Sequence, residues 1–328
     1  MMHIKQLTIF LLVAFLTLSC SNQNQLVIYT SVDQVFSSKI IKNFQQTHPD
    51  IDVKVLYDTE ASKAVGLEKR LMAEKKHPKA DLFWNSEFMR TARLEKADLL
   101  ETYKKSKLPY TKEYYFSKKY KWYGLGMRNR VFVVNKNLMN IEDYPRKLED
   151  LTLTKYKGKI AISLPYVGTT STHFSALFQK MGEVKFRIFI QKLKENEVAL
   201  LAGNSVVKSA VGYGKYLFGL VDSDDVLVGI EEGLPIAMVY YNQNGDGVFS
   251  IFGTVALIKN APHLKNGKIF MEYLLSKEVE NKLIALHAVQ YPLLDNRENV
   301  PYETWSQDPY ILSESLKKSI VIMKEIFE

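Results

Sequence analysis

The chain has 328 residues, an apolar fraction of 46% and a formal net charge of +8. That length supports a large buried core, arranged as one large or two medium domains, and a single cysteine, Cys20, leaves no disulfide framework. The lysines are scattered rather than gathered into a groove-lining tract, so nucleic acid is not an expected partner; a basic exterior suits work beside an anionic membrane.

Leu7 to Leu18 carries no charge and is too short to span a bilayer, which suits the apolar part of a secretory signal. It ends in Thr17-Leu18-Ser19-Cys20. That ending resembles a bacterial lipoprotein signal, with Cys20 as the lipidated first residue of the mature protein, although such signals usually have leucine where Thr17 stands. Residues 1–20 therefore read as a signal peptide, and simple cleavage without lipid is the alternative.

Gln25 to Thr30 reads as a strand. Val35, Phe36, Ile40, Ile41 and Phe44 then share one helical face, and Ile51 to Tyr57 alternates as a second strand. This strand–helix–strand unit predicts a parallel sheet. Asp33 falls at the carboxyl end of the first strand, and Asp58-Thr59-Glu60-Ala61-Ser62 follows the second, opening a helix over 63–75. A third strand over 80–85 ends in Asn85-Ser86-Glu87. Polar groups thus gather at one end of one sheet, as a binding rim requires, though each could also cap a helix.

Gly124 to Arg130 leads into the apolar Val131 to Asn135 and reads as a crossing between lobes; Gly253 to Ile258 reads as the return. Between them lies a second strand-and-helix series from Gly158. Its loop Gly168-Thr169-Thr170-Ser171 precedes an amphipathic helix, where free N–H groups and hydroxyls make an anion site. It is not a Walker loop, and hydroxyls used only for capping are the alternative. Gly203-Asn204-Ser205 offers further hydrogen-bonding groups. His173 reads as a surface or packed histidine. Of Tyr240 and Tyr241, at most one meets a given ligand, since they point to opposite faces of a strand.

The chain is organised around Leu217 to Asp225, an apolar run that ends in the carboxylates Asp222, Asp224 and Asp225. Close like charges repel, and burial raises the cost. A metal ion, an ammonium group, an arginine or a helix N-terminus should face them. The end of such a strand is where open α/β sheets bind ligands. The alternative is that Asp224 or Asp225 caps a helix starting at Val226. Aspartates and a glutamate suit a hard cation better than zinc or copper. H-E-x-x-H, paired cysteines and G-x-S-x-G are absent from the sequence. A hydrolase using Ser171, His173 and Asp222 can be drawn, but the spacing implies no relay, and the expectation is a non-enzyme.

Several short segments in this order and spacing resemble a known family: Val27-Ile28-Tyr29, Ala80 to Trp84, Arg128 to Val131, Lys157 to Ile160, Gly203 to Val206 and Val255 to Ile258. The chain is similar over nearly its whole mature length to the ferric-ion-binding periplasmic solute-binding proteins of bacterial ABC importers. The resemblance implies an α/β, type II periplasmic-binding fold with two lobes joined by two crossing strands. It implies lobe 1 over 21–127 plus 254–300 and lobe 2 over 128–253 plus 301–328. It also implies permease and ATPase partners; with the Cys20 signal, the expected protein is a monomer in the periplasm or outside the cytoplasmic membrane, held by a lipid anchor.

In that family two adjacent tyrosines hold Fe³⁺; by position they match Asp224 and Asp225. The match assigns Asp33, Asp224 and Asp225 to the metal, with Ser86 or, one residue on, Glu87 at the assisting glutamate; the acid cluster adds Asp222. Gly168, Thr169, Thr170, Ser171, Asn204 and Arg128 go to a bound anion, with Glu60, Trp84 and Tyr241 as additional contacts. Ferric iron with an anion is the first ligand. The alternative is a small phosphorylated or phosphonate organic solute whose ammonium group meets the acids.

Overall fold

The computed structural model describes residues 24–58, 62–106, 110, 112–294 and 300–328. The expected signal segment with Cys20, and Glu60, lie outside the described residues. In the first lobe β1 (Gln25–Thr30) pairs in parallel with β2 (Asp52–Tyr57) and β3 (Leu82–Asn85), as the strand–helix–strand spacing predicts. Helix α1 (Gln34–Thr47) joins the first pair and buries Phe36, Ile40, Ile41 and Phe44 against that sheet. Helices α2 (Val65–Ala73) and α3 (Phe88–Lys96) follow β2 and β3.

Two long strands then carry the chain between lobes. Every residue of β4 (Tyr123–Asn135) is buried. Its first half pairs antiparallel with β9 (Val248–Leu257), which itself pairs with β3. Its second half pairs with β7 (Phe218–Asp222) and β8 (Ile236–Val239). The register slips between Leu125 and Met127, around Gly126 at φ +59°. A Cβ there would lie 2.6 Å from Val289 Cγ1, so glycine alone fits the turn and the contact.

The second lobe adds β5 (Ile160–Ser163), α4 (Gly168–Met181), α5 (Glu183–Glu195), β6 (Ala199–Leu201), α6 (Asn204–Gly212) and α7 (Ser223–Glu231). Strand order across the whole sheet is β2-β1-β3-β9-β4-β7-β5-β6. Helices α8 (Leu264–Leu274) and α9 (Lys277–Ala285) return to the first lobe, and the short β10 (Thr304–Trp305) pairs with β9.

The final helix, α10, runs over Pro309–Phe327 and its start is fixed at the residue before it. The reason is local: Asp308 accepts a hydrogen bond from Tyr310 N (2.7 Å), and Pro309 takes the first turn, where it needs no donor. Its Leu312 and Leu316 pack in the first lobe's core, and Ile322 and Met323 in the second's. Residues 301–328, expected with the second lobe, thus reach into both.

Candidate functional site

A cleft opens between the lobes. Asp33, Lys63, Ser86 and Trp84 line it from the first lobe, Arg128 from β4, and Thr169, Asp222, Asp224 and Asp225 from the second.

Strand β7 delivers the acids. It is buried throughout, with Gly219 where a Cβ would meet Ala161 O at 2.6 Å. Helix α7 begins at Ser223 rather than Val226, which puts Asp224 and Asp225 in its first turn. Carboxylates are favoured there by the helix dipole. Asp222 takes the N-cap position, yet its side chain makes no capping bond. One oxygen from each of the three acids lies within 4.8 Å of the others.

What separates the three is what faces them. Asp222 accepts from Arg130 Nη1 (2.7 Å), Arg128 Nε (3.1 Å), Thr169 Oγ1 (2.7 Å) and Asn204 Nδ2 (3.1 Å). Burial opposes its charge, but Arg130 and Arg128 outweigh burial and hold the carboxyl at about 2. Asp224 Oδ1 lies 3.6 Å from Arg128 Nε, and among the described residues it has no hydrogen-bond partner. Burial pushes Asp224 up to about 7, with Asp222 and Asp33 adding to the shift and Arg128 opposing it. Burial, then Asp224 and Asp222, raises Asp225 well above the carboxylate range. Asp222 is therefore already neutralised by its partners, whereas Asp224 and Asp225 lack a sufficient counter-charge and tend to keep their protons until a positive group faces them.

Arg128, assigned to the anion, faces these acids instead. Their charge raises its pKa against burial, and its Nη2 donates to Ser86 O (2.8 Å) in the first lobe. Arg130 was missed. It is fully buried, stands opposite Asp222 in the β4–β7 register, and also donates to Asn204 Oδ1 (3.1 Å). The alternation Arg128-x-Arg130 places both on one strand face, which was the available signal.

The Gly168 loop forms the neighbouring corner. Helix α4 starts at Gly168 itself, with φ +54° and no side-chain cap before it. Lys63, Ser163, Thr169, Thr170 and Asn204 surround a small recess beside it. Gly168 N donates to Lys63 O (3.1 Å) across the lobes, while Lys63 Nζ lies 2.6 Å from Asp33 Oδ1. Lys63 was also missed, because one lysine among many carries no sequence signal. Ser171 turns inward, donating to Gly168 O (2.8 Å) and accepting from Arg90 Nη2 (3.3 Å).

Other expected ligands lie elsewhere. Glu87 is buried and caps α3, accepting from Met89 N (2.6 Å), Arg90 N (3.1 Å) and Thr172 Oγ1 (2.9 Å). Its oxygens are thereby spent on hydrogen bonds, and the metal role expected of it is not supported by its position. Tyr241 is buried against Phe132 and lies 3.4 Å from His173 Nε2, outside the cleft; burial raises its phenol further. His173 stacks on Phe249, and burial, then Arg130, pushes it well below the usual imidazole range. Ser171, His173 and Asp222 form no relay.

The lobes, the crossing strands and the cleft between them define a type II periplasmic-binding fold, and residues 77–318 match the family model described as bacterial extracellular solute-binding protein. The chain belongs to that family. It is 23% identical over 286 residues to the Fe(3+)-binding periplasmic protein of Serratia marcescens, covering 86% of this chain and 82% of that one. Its fold is shared with a ferric binding protein from Campylobacter jejuni (TM-score 0.80, 21% identity, 92% and 99% of the two chains). It is shared equally with the periplasmic binding protein AfuA from Actinobacillus pleuropneumoniae, solved with fructose-6-phosphate bound (TM-score 0.80, 23% identity, 92% and 98%).

Proposed function

We propose that this protein is the solute-binding component of an ABC importer and captures ferric iron together with an anion in the interlobe cleft. The observation that carries the reading is the convergence of Asp222, Asp224 and Asp225 on the cleft, with Asp224 and Asp225 short of a counter-charge. Carboxylate oxygens suit a hard trivalent ion. Asp224 and Asp225 would bind it, with Asp33 facing them from the first lobe. Thr169, Thr170, Asn204 and Lys63 would hold the anion. Relatives named for ferric binding support the choice. Contacts made only in the closed form would drive hinge closure. A permease and an ATPase then receive the iron, and a lipid on Cys20 holds the monomer at the membrane outside the cytoplasm.

A specific observation favours a second reading. Arg128 and Arg130 already neutralise Asp222, and among the described residues lining the cleft there is no tyrosine. A small phosphorylated or phosphonate solute would place its oxyanion on the Gly168 corner and an ammonium group on Asp224 and Asp225. Native mass spectrometry of the protein as purified, with elemental analysis, separates the two. Iron plus a small anion supports the first reading; a metal-free organic mass supports the second.

A further inference from the structure

Arg128 stands on β4 where the lobes meet, lines the cleft and is 5% exposed. Its guanidinium is held from both sides: Nη2 donates to Ser86 O (2.8 Å) in the first lobe, and Nε to Asp222 Oδ2 (3.1 Å) in the second. A planar guanidinium fixed at two points does not swing aside as a lysine ammonium can. The same Nε lies 3.6 Å from Asp224 Oδ1, and among the described residues no other cation comes within 4 Å of that carboxylate. Asp222 does not depend on Arg128, since Arg130 Nη1 (2.7 Å), Thr169 Oγ1 (2.7 Å) and Asn204 Nδ2 (3.1 Å) hold it as well. Lys63 is turned to Asp33 (2.6 Å).

We propose that Arg128 is a resident counter-ion that competes with the guest's positive centre for Asp224 and so limits how tightly the cleft holds it. This rests on the reading of Asp224 and Asp225 as ligands of that centre, and it assigns the limit on affinity to one fixed charge. Like charges a few ångströms apart in a buried site repel strongly. An arriving cation therefore shares its carboxylate with a guanidinium already in place. Removing that charge tightens cation binding, whereas removing an arginine that holds the anion would weaken it. Such a limit suits a carrier, which has to release its guest.

Equilibrium dialysis of the full chain against ferric nitrilotriacetate, with bound iron counted by elemental analysis, compares wild type, Arg128→Gln and Arg128→Lys. Arg128→Gln should bind iron at least about tenfold more tightly, and Arg128→Lys, which keeps the charge, should gain less. Damage to the fold lowers affinity, so a gain is a readout that a merely structural arginine would not give. Arg128→Met is the second neutral variant, should the glutamine variant not fold. Equal or weaker binding by a folded neutral variant overturns the proposal and leaves the proposed function standing. Iron bound by the neutral variant alone supports the proposal and counts against ferric capture by the natural chain. Iron bound by none of them overturns both.

Discussion

Asp222 and Asp224 are two residues apart and have opposite chemistry, because Arg130 reaches one and not the other. Replacing them should have opposite effects on stability. Asp224 titrates higher in the folded chain than in the unfolded one, so its contribution favours folding at low pH and is lost as pH rises through about 7. Asp224→Asn should therefore stabilise the empty protein at pH 8 by roughly 1–3 kcal/mol, and far less at pH 4. Thermal melts at the two values check this. Asp222 is shifted the other way, so its stabilisation is present above the unfolded value and lost as pH falls towards about 2. Asp222→Asn should destabilise by roughly 3–5 kcal/mol, since Arg130 loses a buried partner. Chemical denaturation reads that directly. Equal melting shifts of the same sign would contradict the division of roles.

At the scale of elements, much was legible because short-range patterns carry it. The strand–helix–strand unit over 25–57 follows from residue periodicity, and the crossing near Gly124–Gly126 from glycines beside an apolar run. The acid cluster too was visible as composition. What pairs with it was not, since Arg130 stands 92 positions from Asp222 and only the β4–β7 register brings them together. Glu87 shows the opposite difficulty: ligand and helix cap look alike in sequence, and hydrogen-bond geometry decides for the cap. The kink in β4 yields a prediction at this scale. Gly126→Ala adds a methyl 2.6 Å from Val289 at a positive φ, and should cost roughly 2–4 kcal/mol. Gly182→Ala, at positive φ with nothing within 4 Å, should cost less, about 1 kcal/mol. Urea unfolding of the pair separates crowding from backbone strain.

For the whole molecule, hydrogen bonds join the lobes from both sides of the cleft: Arg128 to Ser86 O, Gly168 N to Lys63 O, and Thr172 to Glu87. Helix α10 adds a third covalent and packed tie beside β4 and β9. Guest binding couples to this arrangement through Asp224 and Asp225, which must ionise to hold a positive centre. Affinity should consequently fall as pH drops below about 7, by at least about tenfold per unit, since each acid must lose a proton. Titration calorimetry at pH 8, 7 and 6 follows it.

The central claim is that Asp224 and Asp225 bind a positively charged centre, whether iron or ammonium. Comparing the mass of the co-purified guest in wild-type protein and in Asp224→Asn/Asp225→Asn tests it most directly. The double variant should fold, melt no lower than wild type at neutral pH, and carry no guest. A folded variant that retains the wild-type guest at full occupancy would contradict the assignment.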